Sequence, residues 1–439
     1  MRTAKLFHPT YTENFRCINS ACEDSCCKSW TIPVDKATIE KYQSLPASPL
    51  HTLIDASIVL APPGPQGEDS SRPAIFATIR TNESHECALL SEERLCSIQV
   101  AYGGALLPST CATYPRIVRL IGNREEKALT LSCPEAARLV LLNPELLSPS
   151  HQTITEPFYG QLHAGGCPAH DHAGTAHALQ PWFWSIRESV FTLIRNRAYP
   201  LWQRLFLLGV FCRQLDELPR GETEHLVPKF LRDFEAQVAA GTPRSALETL
   251  PVEPTLQLDI VLRLAGMLLN RSNVNPRFAE CVKFFTVGIG NGPSATLESL
   301  ASNYALAHDR FYAPFFDSHP YILENYLINT IFRFQFPFGC DGMETGETPS
   351  LSREYAMLTA QFALMKGLLI GVAGYHGDAF STDHVVHTFQ SASKHFDHHA
   401  EFLNDVHALL VESQMDGARG SLILLKNTEP VAPTPGVPA

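Results

Sequence analysis

From residue 179 onward the apolar positions recur at three- and four-residue intervals, the period of helices that bury one face. The strings PWFWSIRESVFTLIRNR and YPLWQRLFLLGVFCRQL predict two such helices, broken at Ala198–Pro200, where proline ends a helical run. The same period predicts helices over Leu256–Asn270, Arg277–Val287, Ser294–Phe311, Tyr321–Phe334, Arg353–Val372, Thr382–Ala392 and Phe396–Glu412. The longest apolar stretch, Ala356 to Gly374, is interrupted by Gln361 and Lys366 and predicts a buried helix rather than a membrane span. No regular repeat recurs, and no alternation of strands with helices signals a doubly wound sheet.

The first 150 residues have a different texture, with many prolines, few helical patterns and eight of the twelve cysteines of the chain. Ala61 to Pro73 reads as an exposed loop, and Ala74 to Arg80 as a short strand. A helix should start at Cys133, because Pro134 suits a first helical turn. That places the Cys133 sulfur at the partly positive end of the helix, a position that favours thiolate. The expected fold is therefore mainly α: an irregular cysteine-rich metal- or cluster-binding region (1–150), a loop or linker (151–178), a large helical domain (179–425) and a proline-rich disordered tail (426–439).

Composition narrows the class. With 45% hydrophobic and 18% charged residues, the 439-residue chain belongs among folded globular proteins. A formal net charge of −11 argues against a general electrostatic nucleic-acid binder. The N-terminus has no apolar signal-peptide core, so the expected setting is the cytoplasm, where stable disulfides are rare. The clustered thiols then point to metal.

Their spacing is C-x4-C-x3-C-C for Cys17, Cys22, Cys26 and Cys27, followed by Cys87, Cys96, Cys111 and Cys133. Thiolates are soft ligands suited to zinc and iron–sulfur clusters. Two clean C-x2-C zinc knuckles are absent, as is the full ferredoxin run, although Cys133–Pro134 echoes its end. Adjacent side chains rarely reach one metal together, so Cys26 and Cys27 are expected to serve different roles or different metals. Cys212 and Cys281 lie within apolar helical patterns and read as core residues.

The segments FRCINSACEDSCCKSWTIPVD, HECALLSEERLCSIQVAYGGALLPSTCATYPR and LTLSCPEAARLVLL resemble the flagellin lysine-N-methylase family, within a wider group that carries a cysteine-rich zinc- or iron-chelating domain. The likeness continues through IRNRAYPLWQRLFLLGVF, ILENYLINTIFRFQFPFG and VVHTFQSASKHFDHH, and so covers most of residues 8 to about 410. The resemblance implies a methyltransferase that uses S-adenosylmethionine to methylate lysine ε-amines of flagellin, the protein of the bacterial flagellum, and that needs a 4Fe-4S cluster. It makes Cys17, Cys22, Cys26, Cys27, Cys87, Cys96, Cys111 and Cys133 the metal-ligand candidates. One such cluster takes four cysteines, so at most half of them serve it. Flagellin is the partner so implied, without nucleic acid; peripheral membrane association and a homo-oligomer are both compatible with the sequence. The alternative is a non-catalytic zinc- or iron-binding protein-interaction module.

Other candidate residues are weaker. Gly288, Gly290 and Gly292 could form a cofactor loop, although the preceding residues read as helix and a plain inter-helix turn is favoured. His170, His172, His177, His395, His398 and His399 read as solvated or hydrogen-bonded histidines before zinc ligands. Glu324 or Tyr326 could deprotonate a substrate lysine, whose ordinary pKa near 10.4 leaves it charged at neutral pH.

Overall fold

The periodic segments fold as helices whose ends are set by local chemistry. Thr296 and Ser299 form a reciprocal capping box at the start of Leu297–Ala307, and the Ser350 hydroxyl accepts the Arg353 N–H at the start of Leu351–His376. Pro276 pre-sets the first turn of Pro276–Gly288, with the Asn275 side chain as cap. The computed structural model describes residues 11–28, 32–61, 76–121, 124–146, 179–270, 274–338, 350–396 and 400–427. Its architecture is mainly α, as expected. Among the features that escaped the sequence pattern are the Thr223–Ala239 helix, which contains Pro228, the short helices Lys36–Gln43 and Pro49–Ser57, and a hairpin of strands Arg116–Ile121 and Arg124–Leu129.

The Leu351–His376 helix is buried along most of its length and is flanked by Leu201–Asp216, Pro254–Leu269, Pro276–Gly288, Thr382–Phe396 and Ala418–Leu425. It is long and apolar enough to cross a membrane, but its apolar window lies wholly inside the fold. This is the buried helix that the interruptions at Gln361 and Lys366 predicted. Lys366 donates to the Leu425 carbonyl at 2.7 Å and to Asn427 Oδ1 at 2.6 Å, holding the end of the last helix. Lys426 and Asn427, the first residues of the expected disordered tail, are thus built into the fold; Lys426 Nζ also donates to the Leu250 carbonyl at 2.7 Å.

Two hydrophobic cores share the cysteine-rich region. The smaller one gathers Ile32, Val34, Ile39, Tyr42, Ile54, Ala77, Ile79, Leu89 and Ile98 around a three-stranded antiparallel sheet. In that sheet Ala77–Ile79, inside the expected strand, lies between Ile32–Val34 and Ile58–Leu60. The larger core takes in Tyr11, Phe15, the hairpin, the Pro134–Leu141 helix and the helical domain together. The reason is a shared apolar face: Leu129, Leu131, Ala136 and Val140 are fully buried against the large core. Asn329 of the Tyr321–Arg333 helix seals this join, accepting from the Leu129 N–H (3.3 Å) and the Tyr11 hydroxyl (2.7 Å) and donating to the Leu129 carbonyl (2.8 Å). The expected linker at 151–178 lies outside the described residues.

Candidate functional site

The eight cysteines are distributed between the two cores. Cys27, Cys87, Cys96 and Cys111 pack on the small one. Cys133 belongs to the large core, at the start of Pro134–Leu141 as expected, while Cys17 and Cys22 sit on the adjoining loop. Cys26 stands between: its free thiol is hydrogen-bonded to Cys27, and Cys111 and Cys17 both lie near enough to raise its pKa. That hydrogen bond lowers the pKa of Cys27 and raises that of Cys26. Burial pushes the Cys87 thiol up to about 11 and Cys133 to about 12. The expected helix-end stabilisation of a Cys133 thiolate is therefore overturned: the Glu135 and Ala136 N–H groups do help, but loss of hydration outweighs them. Among the described residues no group of three or more His, Cys, Asp or Glu stands in metal-holding geometry. Donor type fits a metal or cluster in both sets, and sulfur positions would have to close around it.

A single buried side chain ties the second thiol set to the helical domain. Gln390, 0% exposed on Thr382–Phe396, donates to Asp24 Oδ2 at 2.7 Å and to the Ser132 carbonyl at 3.0 Å. Asp24 follows Cys22 by two residues, and the Cys22 thiol donates to its carbonyl at 3.3 Å; Ser132 precedes Cys133. One turn further along the same helix, Lys394 pairs with Asp24 Oδ1 at 2.7 Å and donates to the Ser25 carbonyl at 3.1 Å. The Gln390 oxygen in turn accepts from Arg277 Nε at 3.1 Å.

Arg277 opens onto a cleft of about 420 Å³, lined also by Glu23, Arg138, Asp383, His384, Val386 and His387. That is ample for a small-molecule ligand. Both signs of charge face it. Arg138 pairs with Glu23 and, at 3.1 Å, with Glu135.

The histidines here are neutral near pH 7. Burial lowers the pKa of His384, and of His387 with help from the nearby Arg277 charge. Ser381 donates its N–H and directs its hydroxyl to His384 Nδ1, each at 3.1 Å, so the neutral ring carries its proton on Nε2. His376 stacks on this ring at 3.6 Å between centroids. His387 has the opposite arrangement. Its ring bonds to the Arg277 backbone, whereas the buried Nε2 makes no hydrogen bond, with a Glu280 carboxylate oxygen 3.8 Å away. Its unprotonated nitrogen is therefore Nε2, a base without a proton to hold.

The other sequence candidates go elsewhere. Glu324 is buried between Arg204 (2.7 Å) and Arg197 (2.7 Å), whose guanidiniums occupy both of its carboxylate oxygens. Tyr326 packs against Phe389 with ring centroids 4.7 Å apart. Neither lines the cleft. The glycines form no cofactor loop: Gly288 ends a helix, and a Cβ there would lie 1.8 Å from the Gly371 carbonyl oxygen. Gly290 adopts φ +75°, which closes that helix by a turn that favours glycine. His395 Nε2 bonds the Leu268 carbonyl at 2.7 Å and its ring stacks on Phe278, the hydrogen-bonded role expected of it. His170, His172, His177, His398 and His399 lie outside the described residues. Cys212 and Cys281 are buried, as read.

Sequence reasoning missed the cleft residues. A signal was present in the stripe Asp383, His387, Gln390 and Lys394, spaced by three and four along one face of this helix. Its buried member, Gln390, needs partners, and those of Gln390 and Lys394 come from residues 24, 25, 132 and 277, which no local pattern connects.

A family model described as the FliB lysine N-methylase C-terminal domain matches residues 187–424, more than half of the chain. The chain belongs to this family. It is 25% identical over 285 residues to a lysine-N-methylase of Salmonella choleraesuis (strain SC-B67) and to one of Salmonella typhimurium (strain LT2). Each match covers 62% of this chain and 65% of the relative, so the chain spans just under two thirds of the length of these methylases. It is also 28% identical over 159 residues to the flagellar biosynthetic protein FliU of Salmonella muenchen, covering 34% of this chain and 83% of that one. No solved structure matches. The matched domain supplies Arg277, Asp383, His384 and His387 to the cleft; Glu23 and Arg138 come from the cysteine-rich side.

Proposed function

We propose that this protein is a lysine N-methyltransferase that takes its methyl group from S-adenosylmethionine bound in the cleft, with flagellin as the protein substrate. The observation that carries this reading is the position of the cleft. It lies where the methylase-family domain meets the loop of Cys22 and the helix of Cys133. S-adenosylmethionine carries a carboxylate, an ammonium and a sulfonium. Arg277 and Arg138 offer guanidiniums to the first, and Asp383 and Glu23 carboxylates to the two cations. The adjoining thiols, Cys17, Cys22, Cys26 and Cys133, would hold a 4Fe-4S cluster, which supplies redox capacity or a rigid anchor when bound.

A charged lysine has no lone pair to attack a methyl group, so the substrate amine must lose a proton. The cleft carboxylates Asp383 and Glu23 are the acceptors at hand, since the unprotonated Nε2 of His387 is buried and burial lowers that ring's proton affinity. In this displacement the amine nitrogen bonds to the methyl carbon, the carbon–sulfur bond breaks, and S-adenosylhomocysteine departs. His384, with its proton on Nε2, can only donate there.

The test is methyl transfer from S-adenosylmethionine to purified flagellin by anaerobically prepared protein, read by mass spectrometry of flagellin lysines. Absence of any methylated lysine with cluster-loaded protein would refute the activity. The site is tested separately by calorimetry. Arg277→Ala should weaken S-adenosylmethionine binding roughly ten- to hundredfold, the worth of about 1.5–3 kcal/mol for a hydrogen bond to a charged group. Unchanged binding would place the cofactor elsewhere.

A further inference from the structure

We propose that Gln390 is a positioning residue that couples the cleft to the loop of Asp24, aiming the Arg277 guanidinium at a bound ligand with a direction of hydrogen bonding that Asp24 imposes. The identity of the ligand rests on the methylation reading; the relay itself rests on the four side chains of Lys394, Asp24, Gln390 and Arg277.

The partners leave the Gln390 amide one orientation. The Asp24 carboxylate and the Ser132 carbonyl can only accept, so both face the Nε2 hydrogens, at 2.7 and 3.0 Å. Arg277 can only donate, so its Nε–H faces the Gln390 oxygen, at 3.1 Å. Both amide N–H groups are engaged, and Gln390 is 0% exposed, so a lost partner is not replaced by solvent. The amide dipole lies between a carboxylate at its N–H end and a guanidinium at its carbonyl end. Bonds in such a chain polarise and strengthen one another. Asp24 is fixed from its other side by Lys394 at 2.7 Å, with both side chains 10% exposed.

At the far end of the chain stands the cleft. Arg277 lies in the first turn of Pro276–Gly288 and is gripped twice by the Thr382–Phe396 helix, on its backbone by the His387 ring and on Nε by Gln390. Engaging Nε leaves the terminal nitrogens Nη1 and Nη2, a fork that suits a carboxylate, for a ligand in the cleft. Without that bond the long side chain would have to be ordered at the moment of binding, which costs affinity. Asp24 is not among the residues that line the cleft, and both it and Ser132 lie outside the matched methylase domain, which supplies Arg277, Gln390 and Lys394. A change on the Asp24 loop therefore reaches the ligand through one buried amide.

The experiment follows the Arg277 Nε–H by nuclear magnetic resonance of the full chain carrying isotope-labelled arginine, the signal being the one missing from Arg277→Lys. In the wild type this proton should exchange slowly with water. Gln390→Met should speed its exchange by at least about tenfold, the loss expected for a hydrogen bond to a charged group. Asp24→Asn should do the same from a distance. Lys394 takes the only acceptor oxygen of the asparagine, so its NH2 meets the Gln390 Nε2 donor to donor, and the amide must turn or let go. Adding Lys394→Met frees that oxygen, so Asp24→Asn with Lys394→Met should regain slow exchange, whereas a loop merely loosened would exchange faster still. Should Gln390→Met not accumulate, the two changes at Asp24 decide alone. An Arg277 proton indifferent to Asp24→Asn, or faster in the paired variant than in Asp24→Asn, overturns the proposal. S-adenosylmethionine is titrated separately. A signal that responds to Asp24→Asn but not to the cofactor supports the relay and removes the cofactor from the cleft; one that responds to the cofactor but not to Asp24→Asn overturns the relay alone.

Discussion

Replacing Glu324 by Gln distinguishes a structural carboxylate from a catalytic one, because the two roles predict opposite outcomes. Glu324 is 4% exposed and receives Arg204, whose side chain is 5% exposed, at 2.7 Å. The second partner, Arg197, also at 2.7 Å, is 55% exposed. Removing one member of a buried ion pair costs about 3–5 kcal/mol, since the other charge stays desolvated without compensation. The exposed partner adds less than about 1 kcal/mol. Glutamine keeps an acceptor oxygen but no charge, which places Glu324→Gln near the lower end, at about 3 kcal/mol. At roughly 2–4 °C per kcal/mol for a unit of 150–250 residues, thermal denaturation should shift down by at least about 5 °C. Methylation per folded molecule should remain close to normal at low temperature. The paired change Glu324→Leu with Arg204→Met should recover much of the loss, because hydrophobic replacement of a whole buried pair is often neutral. A Glu324→Gln protein that melts like wild type yet no longer methylates would refute this reasoning and return the carboxylate to the chemistry.

Gly288→Ala should destabilise by about 1–3 kcal/mol or more, as its methyl would meet the Gly371 carbonyl and force two helices apart; thermal melting reads the loss, and S-adenosylmethionine affinity of the folded protein should be unchanged. The buried Lys366, pushed by loss of hydration from 10.5 down to about 7, gives a pH dependence. Its folded pKa lies below the unfolded one, so between these values the unfolded chain binds the extra proton. Stability should therefore rise as pH climbs from about 7 to 10.5, by up to about 1.4 kcal/mol per pH unit. Denaturant titrations at several pH values, compared with Lys366→Met, check this; an identical slope in the variant would count against it.

What the sequence determined by itself was whatever depends on local pattern. Helices with three- and four-residue apolar spacing formed where expected, because an amphipathic period is a property of one segment. The interrupted apolar run from Ala356 to Gly374 became a core helix, and the start of a helix at Cys133 followed from Pro134. The family resemblance is borne out by the match over residues 187–424, which covers its helical strings and not the cysteine strings. Tertiary structure decided the rest, because it depends on which faces meet. Whether Cys26 and Cys27 share a set is a matter of which core each one faces. The ionisation of Cys133 turned on burial, which the helix-end argument did not contain. The cleft needed Glu23, Arg138, Arg277 and His387, residues up to hundreds of positions apart, brought together when Gln390 closed its hydrogen bonds to Asp24, Ser132 and Arg277. A buried amide must satisfy its polar groups wherever it can, and here the available partners lay on the cysteine loop.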